Sequence, residues 1–184
     1  MPILPILEIP NPILRKKAKR VRSIDKKMLQ IAYNMVDTMD NAGGIGLAAN
    51  QVGELWRIIV LHMPEEENAR IYFNPEIIKT EGNREVEEGC LSLPNYRGIV
   101  TRSISIKFQS KDSTDNIVKF KAENLLSQAI EHEVDHLNGI LYTDHLVAHS
   151  KLYRIEEPDD SIPIKDSFGD NDDYLNSPST IEVK

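Results

Sequence analysis

The stretch Ala129–Gly139, "AIEHEVDHLNG", decides how the rest of this chain is interpreted. It places His132, Glu133 and His136 in a segment that otherwise has the pattern of a buried helix. Burying imidazoles and carboxylates costs free energy unless they are paired or bind a metal. Residues four apart on a helix differ by about 40° of rotation and ~6 Å of rise, so the two imidazoles can meet at one ion. Glu133 can then reach a water on that ion as a general base.

The motif alone leaves other interpretations open. A hydrogen-bonded pair of core histidines at a helix end would have the same spacing. A catalytic metal site needs a third protein ligand and one open position. In a zinc peptidase that ligand follows the helix, where the candidates are Asp144, His145 and His149. Upstream, the single cysteine, Cys90, lies in the polar stretch "EGCLS", although a free cysteine is more often a small core residue than a ligand.

Apolar spacing predicts two helices. The first covers about residues 23–42, where apolar side chains recur at i, i+3, i+4 and i+7 and Ser23 or Asp25 can cap the start. The second covers about residues 123–138 and is apolar on more than one face. We therefore expect the second helix to be buried nearly all round and central to the domain.

The middle of the chain has the pattern of strands and loops. Residues 43–56, "GGIGLAANQVGELW", are interpreted as a glycine-rich loop that leads into a strand. Residues 81–98, "EGNREVEEGCLSLPNYRG", are interpreted as a polar loop. Alternating apolar residues over 99–110, followed by a similar run over 116–124, predict a β-hairpin.

Composition limits the classes of protein that the chain can belong to. A length of 184 residues with 40% apolar side chains fits one domain, predicted here as residues 1–150, with an acidic and flexible tail over 151–184. The net charge of −7 comes from Ile155–Lys184, which holds nine acids and two bases, so no basic face for nucleic acid is expected. One cysteine excludes an intrachain disulfide, and no apolar run approaches the ~20 residues of a membrane helix. We expect a cytoplasmic protein that binds neither membranes nor specific nucleic acids.

Three blocks of the sequence together resemble the signature motifs of the peptide deformylase family. They are "GIGLAANQVG" (Gly44–Gly53), "EGCLSLP" (Glu88–Pro94) and "HEVDHLNG" (His132–Gly139), in the order of the family, within a similarity over about residues 2–146. The resemblance implies an α+β fold in which small, mainly antiparallel sheets surround a central buried helix that carries H-E-x-x-H. It also implies removal of the N-formyl group from the initiator methionine of new polypeptides, with release of formate.

Carried onto matching positions, the resemblance implies three ligands for one divalent metal per chain, with a water in the fourth position: Cys90, His132 and His136. Glu133 is implied as the general base, and then the acid, when that water attacks the formyl carbonyl. The side-chain amide of Gln51 and the backbone N–H of Leu91 are implied as donors to the oxyanion. The resemblance implies Fe(II) as the physiological ion, since these ligand types also suit Zn, Ni and Co.

N-formylmethionyl peptides are the implied partners, bound in a cleft beside the metal. Gly44 and Gly46 would let the backbone of their loop approach an extended peptide. By resemblance, the wall of a methionine pocket includes three residues that could equally be plain core: Ile45, Leu125 and Ala129. Three charged residues are further candidates, the first two beside the ligands and the third at the peptide: Glu88, Arg102 and Arg97.

The sequence departs from the family pattern in three places. Glu131 stands where the family usually has glutamine, and we expect it to face solvent. Asp144-His145 stands where the family usually has Asp-Arg. Many members end in a basic helix that docks on the ribosome, so the acidic tail puts transient ribosome association in doubt. Asp135 has no role that either the motif or the resemblance supplies.

Two competing functions make different predictions about the site. A metallopeptidase on the same helix predicts a third ligand after His136 and no role for Cys90. A structural or sensory metal-binding module predicts a fourth protein ligand and leaves Gln51 without a role.

Overall fold

The computed structural model describes residues 2–148 and 151–155. The described residues form two α-helices, α1 (Lys26–Asn41) and α2 (Asn124–Leu137), three short 3-10 helices and eight strands. The strands in chain order are β1 (Gly46–Ala48), β2 (Ile58–Leu61), β3 (Arg70–Glu81), β4 (Arg84–Cys90), β5 (Leu93–Arg102), β6 (Ser105–Lys111), β7 (Ile117–Glu123) and β8 (Leu152–Arg154). The predicted α+β fold class is confirmed.

The eight strands form two separate antiparallel sheets. One has the order β1-β2-β3-β6-β7, and the other has the order β4-β5-β8. The five-stranded sheet is covered on both faces at β2. Ile59 and Leu61 pack with α2, whereas Ile58 and Val60 pack with α1. All four side chains are therefore buried, which explains why β2 is an uninterrupted apolar run rather than an alternating one.

Helix α2 is the central element, as the sequence predicts. Its apolar side chains pack on the five-stranded sheet, while its other side faces the three-stranded sheet and carries the polar motif. Gly139 follows the helix with a φ of 75°, a conformation that glycine adopts without strain. A Cβ at Gly139 would also collide with the carbonyl oxygen of Arg15, so glycine lets the N-terminal segment pass close to the end of the helix.

Two stretches interpreted as loops contain regular structure. The polar stretch 81–98 forms β4 and most of β5, which pair as a hairpin. The predicted loop is wrong because a small sheet with a solvent-facing side tolerates polar residues at alternate positions. The glycine-rich stretch 43–56 contains β1 and a 3-10 helix, Ala49–Val52.

The predicted hairpin is confirmed in part. Strands β6 and β7 pair over their full length, as expected. The first residues of the predicted strand, Ile99–Arg102, instead belong to β5 in the other sheet, and the chain changes sheets at Ser103 and Ile104.

The C-terminal part of the described chain belongs to the domain. Leu152–Arg154 pairs with β5, so the sheet continues beyond the boundary predicted after residue 150. Residues 156–184, which include most of the predicted tail, lie outside the described residues, and its flexibility stays a prediction. Among the described helices, none is both long enough and apolar enough to cross a membrane.

The start of α1 gives a test of the helix cap. Asp25 accepts a hydrogen bond from the backbone N–H of Met28 at 2.9 Å, which makes it the cap rather than Ser23. We expect Asp25→Ala to lower the free energy of unfolding by about 1 kcal/mol in urea denaturation, because one backbone donor loses its acceptor. Ser23→Ala, the matched control, should change it by less than about 0.5 kcal/mol. Equal effects of the two variants would contradict the assignment.

Candidate active site

Three metal-ligating side chains meet between α2 and the end of β4. Cys90 Sγ lies 3.2 Å from His136 Nε2, which lies 3.2 Å from His132 Nε2. All three donor atoms lie within 4.8 Å of one another. Tetrahedral bonds of ~2.0 to 2.3 Å place ligand atoms about 3.3 to 3.7 Å apart, so this spacing fits a shared ion. Burial also lowers the pKa of His136 well below its usual value and favours the neutral imidazole that binds metals.

A buried carboxylate, Glu88, orients the first histidine. Its Oε2 lies 2.9 Å from His132 Nδ1, which leaves Nε2 of that ring free to bind the ion. Arg102 donates to both oxygens of Glu88 at 2.8 and 3.0 Å. Burial alone would raise the pKa of Glu88, but the hydrogen bonds with His132 and Arg102 outweigh it and lower the pKa to about 2. Glu88 is therefore an anion that holds the ligand in place.

Asp135, for which the sequence supplied no role, completes this set of ion pairs. Its Oδ2 accepts a hydrogen bond from Arg102 Nη1 at 2.6 Å and lies 3.0 Å from His145 Nε2. Arg102 is only 4% exposed, and a buried cation is costly unless it is paired. The carboxylates of Glu88 and Asp135 supply that pairing. Asp135 is therefore linked to His132 through Arg102 and Glu88.

Glu131 does not simply face solvent, contrary to the expectation. Its carboxylate accepts hydrogen bonds from the backbone N–H of Ser103 at 3.0 Å and from its hydroxyl at 2.9 Å. Ser103 follows Arg102 at the point where the chain leaves β5. Glu131 therefore fixes this turn to α2.

The candidate base, Glu133, is buried beside the ligands with one oxygen free. Its Oε2 has no hydrogen-bond partner within the part of the chain that the structure describes. Burial raises the pKa of Glu133 to about 7, so the carboxyl can hold and release a proton near neutral pH. A Cβ at Gly46 would collide with Oε1 of Glu133, so glycine leaves room for this carboxylate, and the approach of a peptide there stays a prediction.

Gln51 presents its amide group to the ligands. Its Oε1 accepts a hydrogen bond from the backbone N–H of Ala48 at 2.8 Å, so its NH₂ points into the site. Nε2 lies 3.4 Å from Cys90 Sγ and 3.2 Å from Ser92 Oγ. Ser92 is fully buried and was missed by sequence reasoning, although it directly follows the Cys-Leu pair of the second motif.

An open cleft of about 440 Å³ lies over the ligands. It is lined by the predicted substrate contacts Gly44, Ile45, Gly46, Arg97, Leu125 and Ala129, and by Glu88, which was also a candidate. Leu91 lines the cleft as well, next to Cys90. Ile45 and Leu125 are more than one-third exposed within it, so they belong to the cleft wall rather than to plain core.

The structure disfavours the two competing functions. Asp144 forms an ion pair with Arg15, and His145 contacts Asp135, so neither is available as a downstream ligand. His149 lies outside the described residues. Within the described ranges, the only cluster able to hold a metal has three donors and lacks the fourth that a structural site needs.

A buried H-E-x-x-H helix, an upstream cysteine beside its two histidines, a free carboxylate and an open cleft are the features of a metal-dependent hydrolase of peptide-like substrates. A family model described as polypeptide deformylase matches residues 3–152. The chain belongs to the peptide deformylase family, whose members are metalloenzymes that remove the N-formyl group from nascent peptides.

Individual relatives agree with this assignment. The chain is 45% identical to a peptide deformylase of Dehalococcoides mccartyi over 163 residues, which cover 89% of this chain and 97% of the relative. A crystal structure of the Synechococcus elongatus peptide deformylase in complex with actinonin superposes with a TM-score of 0.78 at 36% identity, covering 82% of both chains. A Met-Ala-Ser-bound crystal structure of the Acinetobacter baumannii enzyme has a TM-score of 0.75 at 32% identity, covering 79% of this chain and 99% of that one.

The Glu88 network predicts a loss of metal affinity. We expect Glu88→Gln to weaken divalent metal binding about tenfold to hundredfold in a chelator competition, because the charged acceptor that orients His132 is lost. Glu87→Gln is the matched control, since this neighbouring side chain points away from the ligands to an exposed ion pair with Arg97. Unchanged affinity in Glu88→Gln, or an equal loss in the control, would refute the orienting role.

Proposed function

We propose that this protein removes the formyl group from N-formylmethionyl peptides through Cys90, His132, His136, Glu133 and Gln51. The observation that carries the proposal is the convergence of three metal donors, a free carboxylate and an oriented amide at one end of an open cleft. This combination supplies the base, the electrophilic assistance and the oxyanion donor that hydrolysis of an amide requires.

The proposed ion is one Fe(II) per chain, with Zn, Ni or Co as substitutes. A thiolate and two imidazoles accept all four ions, so the choice of Fe(II) rests on the resemblance to the family. A divalent ion bound there supplies a Lewis acid and lowers the pKa of a coordinated water toward neutrality. A thiolate ligand also needs reducing conditions, which fits the proposal that the protein acts in the cytoplasm.

Glu133 is the proposed carrier of the proton. It takes the proton of the attacking water and delivers it to the amine that leaves as the amide bond breaks. Its buried position favours this exchange because its pKa lies near neutral pH, although a bound cation would lower that pKa. The proposed donors to the developing oxyanion are the amide of Gln51 and the backbone N–H of Leu91, neither of which titrates in the working range.

The proposed substrate lies along β1. This strand is at the edge of the five-stranded sheet, so one side of its backbone can pair with an extended peptide as an added strand. Ile45, Leu125 and Ala129 provide apolar contacts for the methionine side chain next to the ligands. Transient association with the ribosome stays a prediction, because residues 156–184 lie outside the described part of the chain.

The direct test is formate release from a formyl-Met-Ala-Ser peptide by protein loaded anaerobically with Fe(II). We expect turnover by the wild-type protein and a loss of at least a hundredfold in kcat for Glu133→Ala with metal content retained, because the proton carrier is removed. Absence of formate from the loaded wild type would overturn the proposed function. Full activity of Glu133→Ala would overturn only the role of Glu133.

Metal content tests the third ligand separately from activity. We expect Cys90→Ala to bind less than one-tenth of the metal that the wild type retains after gel filtration, measured by elemental analysis, because two histidines hold a divalent ion weakly. A stoichiometric ion in this variant would mean that the third ligand lies elsewhere.

The role of Gln51 predicts a change in rate without a change in metal content. We expect Gln51→Leu to lower kcat by about 10² to 10³, because one oxyanion donor is worth ~3 kcal/mol of barrier. Gln109→Leu, on β6 away from the cleft lining, is the matched control and should keep wild-type kcat. A kcat for Gln51→Leu within threefold of the wild type would exclude this donor.

A further inference from the structure

The C-terminal strand β8 brings one apolar residue, Ile155, to the rim of the cleft. Strand β8 pairs with β5 through Gly98↔Leu152, Arg97↔Tyr153 and Tyr96↔Arg154. The backbone N–H of Ile155 then donates to the carbonyl oxygen of Asn95 at 2.8 Å, which extends the pairing by one residue. Ile155 lines the cleft, although it lies outside all three sequence motifs.

A polar contact on the same face holds β8 in this position. Residues opposite each other in an antiparallel pair point to the same side, which places Tyr153 beside Arg97. The hydroxyl of Tyr153 donates to Oε2 of Glu87, and Arg97 Nη1 lies 3.2 Å from Oε1 of the same carboxylate. Gln128 of α2 donates to the backbone carbonyl of Glu87 at 2.9 Å, so β4, β5, β8 and α2 are joined at the rim.

The rim that results is apolar where it is open to solvent. Four large apolar side chains, each between 36% and 41% exposed, line this one cleft and come from four separate segments: Ile45, Tyr96, Leu125 and Ile155. The nearest charges on β5 and β4, Arg97 and Glu87, neutralise each other in an ion pair. Exposed apolar side chains that gather around one opening mark a binding surface rather than scattered surface residues.

We infer that Ile155 is a specificity-determining residue, which contacts an apolar side chain of the peptide downstream of the formylmethionine. The inference rests on the proposed function, since it names a preference of the same cleft. Ile155 directly follows the strand that pairs with Tyr96 and Arg97. Ile45, which precedes β1, and Leu125 of α2 belong to the proposed methionine pocket. A substrate that ends at the methionine has no side chain to place against Ile155.

The experiment compares peptides that differ only after the methionine, using the full-length Fe(II)-loaded protein. Two series are measured, formyl-Met-X-Ser and formyl-Met-Ala-X, with X as Leu, Phe or Ser, together with formyl-Met amide. In Ile155→Ser we expect KM for the Leu and Phe peptides of one series to rise about five- to tenfold with kcat unchanged, because roughly 50 Å² of apolar contact is lost. KM for the Ser peptides and for formyl-Met amide should stay within twofold.

Two further variants separate contact from structure. Ile155→Leu keeps the apolar contact and should retain the wild-type preference. Ile78→Ser removes an isoleucine that is exposed on β3 outside the cleft, and should leave every KM unchanged. A uniform change across all substrates in Ile155→Ser, or no change in any of them, would overturn the inference. Absence of formate with the wild type would instead count against the proposed function.

Discussion

The hydrogen bonds of one buried carboxylate, that of Glu88, hold the two parts of the site together. Glu88 lies on β4 of the three-stranded sheet, whereas His132 lies on α2. Arg102, at the end of β5, donates to Glu88 from Nε and Nη2 and to Asp135 of α2 from its third nitrogen, Nη1. A buried ion pair needs further hydrogen bonds to offset its desolvation, and here Glu88 also contacts His132 while Arg102 also donates to Asp135. The strand that carries Cys90 is thereby fixed relative to the helix that carries the histidines.

This arrangement gives two neighbouring carboxyl groups opposite properties. Glu88 receives hydrogen bonds from charged or ring N–H donors, which lower its pKa to about 2 and keep it ionised. Glu133 is equally buried, but among the described residues no such donor reaches its Oε2, and burial raises its pKa to about 7. A carboxylate that supports a ligand must stay charged, whereas a carboxylate that moves a proton must change charge near neutral pH. Their surroundings, rather than their residue type, separate the two roles.

Helical spacing and the sequence motifs were sufficient to predict the candidate metal ligands. His132 and His136 are predictable because their spacing is local. Cys90 was one candidate among several from its polar surroundings, and only the resemblance selected it. Glu88 and Arg102 were expected beside the ligands, but their partners could not be predicted, because the contacts join residues 14, 33 and 44 positions apart with no periodic pattern. Strand β4 was not predicted, because its many polar residues resemble those of a loop. Such residues also suit the solvent-facing side of a small sheet. Glu131 was placed in solvent because nothing in the sequence indicates that Ser103 faces it.

The three-stranded sheet separates the residues at the metal donors from Ile155, the proposed specificity residue. Its strand order places β4, with Glu88 and Cys90, at one edge and β8, with Ile155 directly after it, at the other. Between them, β5 holds Arg102 toward the metal ligands and Arg97 toward the rim. Tyr153 of β8 reaches Glu87 on β4, whereas Ile155 lies at the rim of the cleft. Glu88, which contacts His132, is on the opposite edge strand from β8. If Ile155 has the proposed role, a substitution there would change the substrate preference without removing any hydrogen bond of Glu88, because β5 lies between the two edges.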